Sequence, residues 1–403
     1  MQDQVKGVPN REESDPMHTT VSTPPGADHV DNREVWKDFG FRATHLMTTS
    51  ARQIITAWYG QAPEFSYFVG GSTGGQQALQ EAQRYPEDYD GIIAAVPAHC
   101  RAPLHAYFLW NDQILTKTPF SKEQQAAVVA AGNEYMASRE VPAVAGKFVS
   151  DPRCTAADIE AVIALALKKD PTLTPAHAEA LRKILDGPRH ARTGERIFNG
   201  IPLGCNFDSA RGHLYLFRWV FGTAKPLGDI NFAEDIDKYL SELGPWLNAD
   251  NADLSAFRKR GGKLIITTGT ADQIVPSHAS VDYYERVIEA SGGLEQAQSF
   301  CRMYVVPGMA HGPNGPGLNL SGNMLEAVRT WREKGKAPEA IAGKRMAPGG
   351  SPGKPGKVEL EIPVYPYPAK AAWDEATSTY KPVAAQRGGV ERVAERFRPA
   401  AAP

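Results

Sequence analysis

The sequence has no apolar run near the ~20 residues that a membrane-spanning helix needs. Its longest uninterrupted apolar stretches, residues 91–96 and 161–167, are the length of elements buried in a core. The opening residues, MQDQVKGVPNREESDP, carry no apolar segment of the kind that directs secretion. The chain as it stands is therefore expected in the cytoplasm, unless a targeting segment is missing from it. Neither sign of charge prevails: 44 Lys and Arg face 46 Asp and Glu, a formal net charge of -2. That balance leaves no footprint for nucleic acid and no basic anchor for a membrane. Cysteine is scarce, with Cys100, Cys154, Cys205 and Cys301 in 403 residues. None forms a C-x-x-C pair, which argues against a zinc site or redox motif, and so few do not make a disulfide framework. The four read as buried or half-buried thiols. No internal repeat is visible. What remains, 42% hydrophobic and 22% charged residues, belongs to a soluble globular protein. Its length allows one large domain with an insertion, or two to three smaller ones.

Alternation of strand and helix signals organises the chain. Residues 1–34 form a loose arm with one candidate strand at 18–22. Residues 35–59 read as a long amphipathic helix, with Phe41, Leu46, Ile54 and Trp58 at helical spacing and Gly60 as its cap. A strand at 65–69 breaks into the cluster Gly70-Gly71-Ser72-Thr73-Gly74-Gly75, and a helix at 76–85 follows, stopped by Pro86. The continuous apolar run at 91–96 predicts a strand buried on both faces. Strand, helix, strand in this order is a βαβ unit of a parallel sheet. From 105 to 254 the texture becomes helical and aromatic-rich, which predicts an inserted domain. The α/β pattern then returns, with strands at 264–268 and 303–306 and helices at 278–291 and 323–334. The expected division is a discontinuous α/β domain (35–104 and 255–345), an inserted helical domain (105–254) and a Pro- and Gly-rich, mostly irregular tail (346–403).

The strongest chemical signal is Gly70-Gly71-Ser72-Thr73-Gly74. It fits G-x-S-x-G and lies between a predicted strand and a predicted helix, the context this motif requires. Glycines flanking the serine permit a tight turn that projects the hydroxyl, and the helix start behind it favours negative charge. The Thr73 N–H is placed to meet a developing oxyanion. The competing reading is an ordinary glycine-rich turn. A serine needs a base, and in proteins built this way the acid and the histidine follow on loops after later strands. Asp272 follows the strand at 264–268, and His311 follows the strand at 303–306. Asp272 has a turn-forming alternative. His99 and His278 compete for the base role, but neither follows the last strand.

These residues resemble the tannase and feruloyl esterase family, which includes the mono(hydroxyethyl) terephthalate hydrolases. The resemblance runs over about residues 35–370. It rests on Asp38-Phe39-Gly40-Phe41-Arg42-Ala43, on 66–77 (SYFVGGSTGGQQ), on 81–93 (EAQRYPEDYDGII), and on Val306-Pro307-Gly308-Met309-Ala310-His311. Gly187-Pro188 with 193–197, and 253–257 with 261–264, continue it. The family implies an α/β-hydrolase core with a doubly wound, mostly parallel sheet and a large inserted helical lid. It implies hydrolysis of aromatic and phenolic acid esters by Ser72, Asp272 and His311, without a cofactor.

The chain departs from the family at several points. Gly71 and Gly312 stand where the family usually has the two cysteines of a disulfide. The stretch 139–149 (REVPAVAGKFV) corresponds to the family's calcium loop but holds one carboxylate, Glu140, so no metal is expected there. The strands that family members carry before the nucleophile, and with them a second oxyanion donor, are not visible. Trp110, Phe217 and Trp219 are candidates for the aromatic wall of the site, with packing inside the lid as the favoured alternative for each. The leading expectation is a serine carboxylesterase acting on a small aromatic ester. The alternatives are a catalytically impaired relative that binds phenolic ligands, and an acyltransferase or peptidase on the same residues.

Overall fold

Four short segments pair in parallel to form the central sheet: β1 (Tyr67–Gly71), β2 (Gly91–Ala95), β3 (Lys263–Gly269) and β4 (Cys301–Val306), in that spatial order. The computed structural model describes residues 33–139, 154–222, 225–312, 317–320, 324–347, 357–385, 387 and 391–398. The candidate strand at 18–22 and all but the first residue of the loop at 139–149 lie outside the described residues. Apolar residues on consecutive positions bury both faces of the sheet. Ile92, Ala94, Leu264 and Ile266 share one core with Ala78 and Leu79 of helix Thr73–Arg84 and with Val281 and Tyr284 of helix Ser277–Ala290. Ile93, Ile265, Tyr304 and Val306 form another with Val328 and Trp331 of helix Met324–Lys334. Helices therefore cover both faces, and the sheet is doubly wound.

In chain order the helices are α1 (Arg33–Lys37), α2 (Ala43–Tyr59), α3 (Thr73–Arg84), α4 (Arg101–Lys117), α5 (Lys122–Arg139), α6 (Ala156–Lys169) and α7 (Pro175–Asp186). They continue with α8 (Tyr215–Phe221), α9 (Glu234–Leu247), α10 (Ser255–Lys259), α11 (Ser277–Ala290), α12 (Leu294–Gln298) and α13 (Met324–Lys334). Helices α4 to α10 all fall between β2 and β3; α5 to α9 lie within the insertion expected at 105–254, while α4 begins before it and α10 follows it. Both α6 and α7 begin with a capping box, on Thr155 with Asp158 and on Thr174 with His177. The core of this helical layer holds Tyr107, Phe198, Phe207, Phe217, Trp219 and Tyr239. No helix of the described residues is long and apolar enough to cross a membrane.

Two expectations need correction. The helix at 35–59 runs unbroken but not as a regular amphipathic α-helix: α1 passes through a π-helical turn at Asp38–Arg42 into α2, and the apolar residues that set its expected face are not the ones it buries. Its core-seeking residues are Trp36 and Phe39, which join the helical layer rather than the sheet. Gly40 lies so close to Trp246 that an added Cβ would meet its carbonyl oxygen at 2.1 Å. On α2 only Thr44 and Thr48 are buried, while Ile54 and Trp58 stand 69% and 82% exposed. The tail from 346 on, expected to be mostly irregular, carries three paired strands among its described residues. β5 (Asn319–Leu320), β6 (Ile341–Met346) and β7 (Val358–Val364) form an antiparallel sheet, and β8 (Lys370–Asp374) and β9 (Thr379–Val383) a hairpin. Pro and Gly punctuation masked the alternating pattern of β7, whose residues Ile362 and Val364 are buried on one face. Beyond it, Glu391 accepts from both Arg189 and Arg196, and Val393 and Phe397 enter the helical core.

Candidate active site

Ser72 occupies the turn between β1 and α3 with φ 58 and ψ -117, a conformation that costs a non-glycine residue about 1–3 kcal/mol. Hydrogen bonds on either side of it hold that geometry. Its N–H donates to Ala95 O at 2.9 Å, and its carbonyl accepts from Gln76 N at 3.0 Å and Ala98 N at 3.1 Å. The turn explains its glycines unequally. A Cβ on Gly70 would meet Gly74 O at 2.0 Å, and one on Gly75 would meet Ala95 O at 2.7 Å. Gly74 itself has room, with no neighbour nearer than 3.9 Å. Since Gln76 makes the first helical bond back to Ser72, the Thr73 N–H precedes any intrahelical acceptor and remains a donor at the positive end of α3.

The loops after β3 and β4 bring the other two groups in. His311 Nε2 lies 2.8 Å from Ser72 Oγ, and His311 Nδ1 lies 2.8 Å from Asp272 Oδ2. Asp272 is fully buried, and its second oxygen accepts from Ile274 N at 2.9 Å and Val275 N at 2.8 Å. The two loops are stitched to each other. Thr270 N donates to Val306 O, Ala271 N to Met309 O, and Gly308 N to Thr270 Oγ1. Gly269 permits this contact, since a Cβ there would meet Met309 O at 2.1 Å. The rival histidines lie elsewhere. His99 is buried against Pro97 O and Asp250, and burial lowers its pKa. His278 is buried on α11, and neither histidine bonds to Ser72.

Ser72 and His311 open into a cavity of about 830 Å³. Leu104, Phe108, Ile274 and Val275 contribute its apolar wall. Arg101, His105 and Tyr215 contribute polar groups. Arg101 Nη1 donates to Thr73 Oγ1 and Nη2 to Tyr215 OH, each at 2.8 Å. Burial, and next the Arg101 charge, push the His105 imidazole well below its ordinary pKa. The aromatic candidates do not reach this cavity. Phe217 stacks on Tyr239 at 4.0 Å, and Trp219 lies parallel to Trp36 at 6.3 Å and edge-on to Phe39 at 5.2 Å. Trp110 donates to Lys183 O at 2.9 Å and borders a separate hollow of about 370 Å³. Tyr215 of α8 and Phe108 of α4 line the cavity in their place. Sequence reading passed over Arg101 altogether, because its partners are 28 and 114 residues away.

A doubly wound parallel sheet with a serine at a strand-to-helix turn, facing a histidine and a buried aspartate on later strand ends, defines an α/β-hydrolase. Sequence comparison then gives the family. The sequence model of the family "Tannase and feruloyl esterase" matches residues 13–224 and 227–384, and the chain belongs to that family, as a carboxylic ester hydrolase. An uncharacterised esterase of Xanthomonas campestris is 30% identical over 390 residues, which cover 83% of this chain and 67% of that one. Feruloyl esterase B of Aspergillus niger is 28% identical over 352 residues, covering 80% and 67%. The mono(2-hydroxyethyl) terephthalate hydrolase of Piscinibacter sakaiensis is 25% identical over 404 residues, covering 83% and 66%. The chain thus spans about two thirds of the length of these relatives. A crystal structure of an esterase from Aspergillus oryzae shares the fold, with TM-score 0.71 and 24% identity over 87% of this chain and 75% of that one.

Proposed function

We propose that this protein is a serine esterase that cleaves esters of aromatic and phenolic acids through an acyl-enzyme. Ser72 Oγ attacks the ester carbonyl while His311 Nε2 takes its proton. The Thr73 N–H and the start of α3 stabilise the oxyanion. Collapse of the tetrahedral intermediate expels the alcohol, which receives that proton from His311. Water, activated by the same imidazole, then releases the acid and restores the serine hydroxyl. Asp272 holds Nδ1–H and stabilises the imidazolium that forms in each half. In this reading residues 105–254 act as a lid over a catalytic domain formed by 35–104 and 255–345. The names of the relatives support the substrate class, and the apolar wall of the cavity suits a planar acyl ring.

One observation carries the proposal: a single imidazole stands 2.8 Å from a strained serine and 2.8 Å from a buried carboxylate. Hydrolysis of methyl ferulate, methyl gallate and a p-nitrophenyl ester by wild type and Ser72→Ala tests it. The expected result is hydrolysis that Ser72→Ala abolishes. Hydrolysis at an undiminished rate in Ser72→Ala removes Ser72 from the mechanism. A folded wild type that turns over none of the esters favours a ligand-binding role instead.

A further inference from the structure

The reaction leaves one charged group of the cavity unused. Arg101, 6% exposed, begins α4 with its guanidinium on the cavity wall. Both of its hydrogen-bond acceptors, the hydroxyls of Thr73 and Tyr215, are neutral, and its Nε has no partner. Among the described residues no carboxylate pairs with it. Its remaining company is the Phe39 ring, 5.4 Å away, and His105, whose lowered pKa keeps it neutral. A cation over a ring is worth about 0.5–2 kcal/mol, whereas desolvating an ion costs several. Another buried arginine, Arg196, and the half-buried Arg286 are compensated. Arg196 meets Asp186 and Glu391, and Arg286 meets Asp250.

A buried, permanently charged fork with unused donors, set on the wall of a cavity and lacking an anion, is complementary to a carboxylate that arrives with the ligand. We propose that Arg101 is the anion subsite of this cavity, and that the preferred esters carry a free carboxylate. The Thr73 hydroxyl that accepts from Arg101 belongs to the residue directly after Ser72, so the bound anion lies close to the ester. The proposal rests on the reading above only for the place of the ester; capture of the carboxylate does not require Ser72. The carboxylate could belong to the acid half or to the alcohol half, and the test separates the two.

Two matched pairs decide it at pH 7. Methyl 3-carboxybenzoate against methyl 3-carbamoylbenzoate tests a carboxylate on the acid half. Carboxymethyl benzoate against carbamoylmethyl benzoate tests the alcohol half. In at least one pair, wild type is expected to favour the anion tenfold or more in kcat/KM. Arg101→Gln lowers that ratio tenfold or more, mainly through KM, and Arg101→Lys, which keeps the charge but not the fork, retains part of it. A ratio near one in both pairs for wild type overturns the proposal. So does an equal loss on charged and neutral esters in Arg101→Gln, which would place the guanidinium on the reacting oxygen instead. Should Arg101→Gln fail to fold, competitive inhibition of wild type decides: isophthalate must bind at least tenfold more tightly than isophthalamide, and equal inhibition contradicts the subsite. Should wild type hydrolyse none of the esters, the Ser72 reading fails separately. Calorimetric binding of isophthalate to wild type and Arg101→Gln then settles the subsite, with equal affinities overturning it.

Discussion

Helix α3 carries a histidine–carboxylate cluster near each end, and the two are built on opposite principles. At its start, His311 lies between Ser72 and Asp272, so that every polar atom meets a complementary one. Towards its other end, Glu81 meets Asp88, and His45 Nδ1 lies 2.6 Å from Asp88 Oδ2, with its ring stacked on Tyr85 at 3.8 Å. Glu81 is fully buried, and neither of its oxygens accepts a hydrogen bond from the described residues. Burial, and next the Asp88 charge, push its pKa up to about 9. The residue types are nearly the same, but the location of the proton differs. The first cluster has an imidazole between a donor and an acceptor, an arrangement suited to moving a proton. In the second, Glu81 keeps its proton at neutral pH so that two carboxyl groups can share a buried site.

The largest effect that can break this contrast is loss of the serine. Ser72→Ala is expected to lower kcat on the order of 10⁴–10⁶-fold with little change in melting temperature, measured by steady-state kinetics and calorimetry. Asp272→Asn keeps the shape but presents the wrong partner to Nδ1, and a fall of roughly 10⁴-fold in kcat is expected. A loss below tenfold would mean that the carboxylate does not orient the imidazole.

At the far end of α3 the prediction concerns stability rather than rate. The unfolded chain releases the Glu81 proton near its ordinary value of 4.5, and the folded chain holds it to about 9. The folded state therefore binds more protons between those values. The contribution of this group is fully present below the lower value and is lost as pH rises towards the upper one, with a slope of up to about 1.4 kcal/mol per pH unit. Glu81→Gln mimics the neutral form and removes this loss. Its thermal stability should fall less than that of wild type between pH 5 and pH 9, read by calorimetry across the range. Parallel curves would show that Glu81 is already ionised in the fold. The smallest expected effect is at Trp110, which borders a different hollow from Ser72. Trp110→Phe should leave kcat/KM within about twofold while costing about 1 kcal/mol of stability, through the lost bond to Lys183 O.

The parts legible in the sequence were those fixed by local rules. Ser72, Asp272 and His311 each follow an apolar strand and sit in a turn marked by glycine, so their position at one end of the sheet could be read without knowing any contact. The helical texture expected between 105 and 254 was equally local, and α5, α6 and α7 fall within it. What stayed hidden depends on distant partners. Helix α8 is apolar nearly all round, so nothing in its composition says that Tyr215 turns to the cavity while Phe217 and Trp219 face the interior. Arg101 looks like any first-turn arginine until its two hydroxyl partners are in place. The helix over 35–59 was legible, but which of its apolar residues are buried was not: Trp36 and Phe39 enter the helical core, whereas Ile54 and Trp58 stand exposed.

The central claim is that Ser72, and no other group, becomes covalently modified in the reaction. Labelling with a fluorophosphonate, followed by digestion and mass spectrometry, tests it most directly. The account predicts one adduct, on the peptide containing Ser72, appearing in step with loss of esterase activity and absent from Ser72→Ala. An adduct on a different residue, or complete labelling of Ser72 with activity intact, would contradict it.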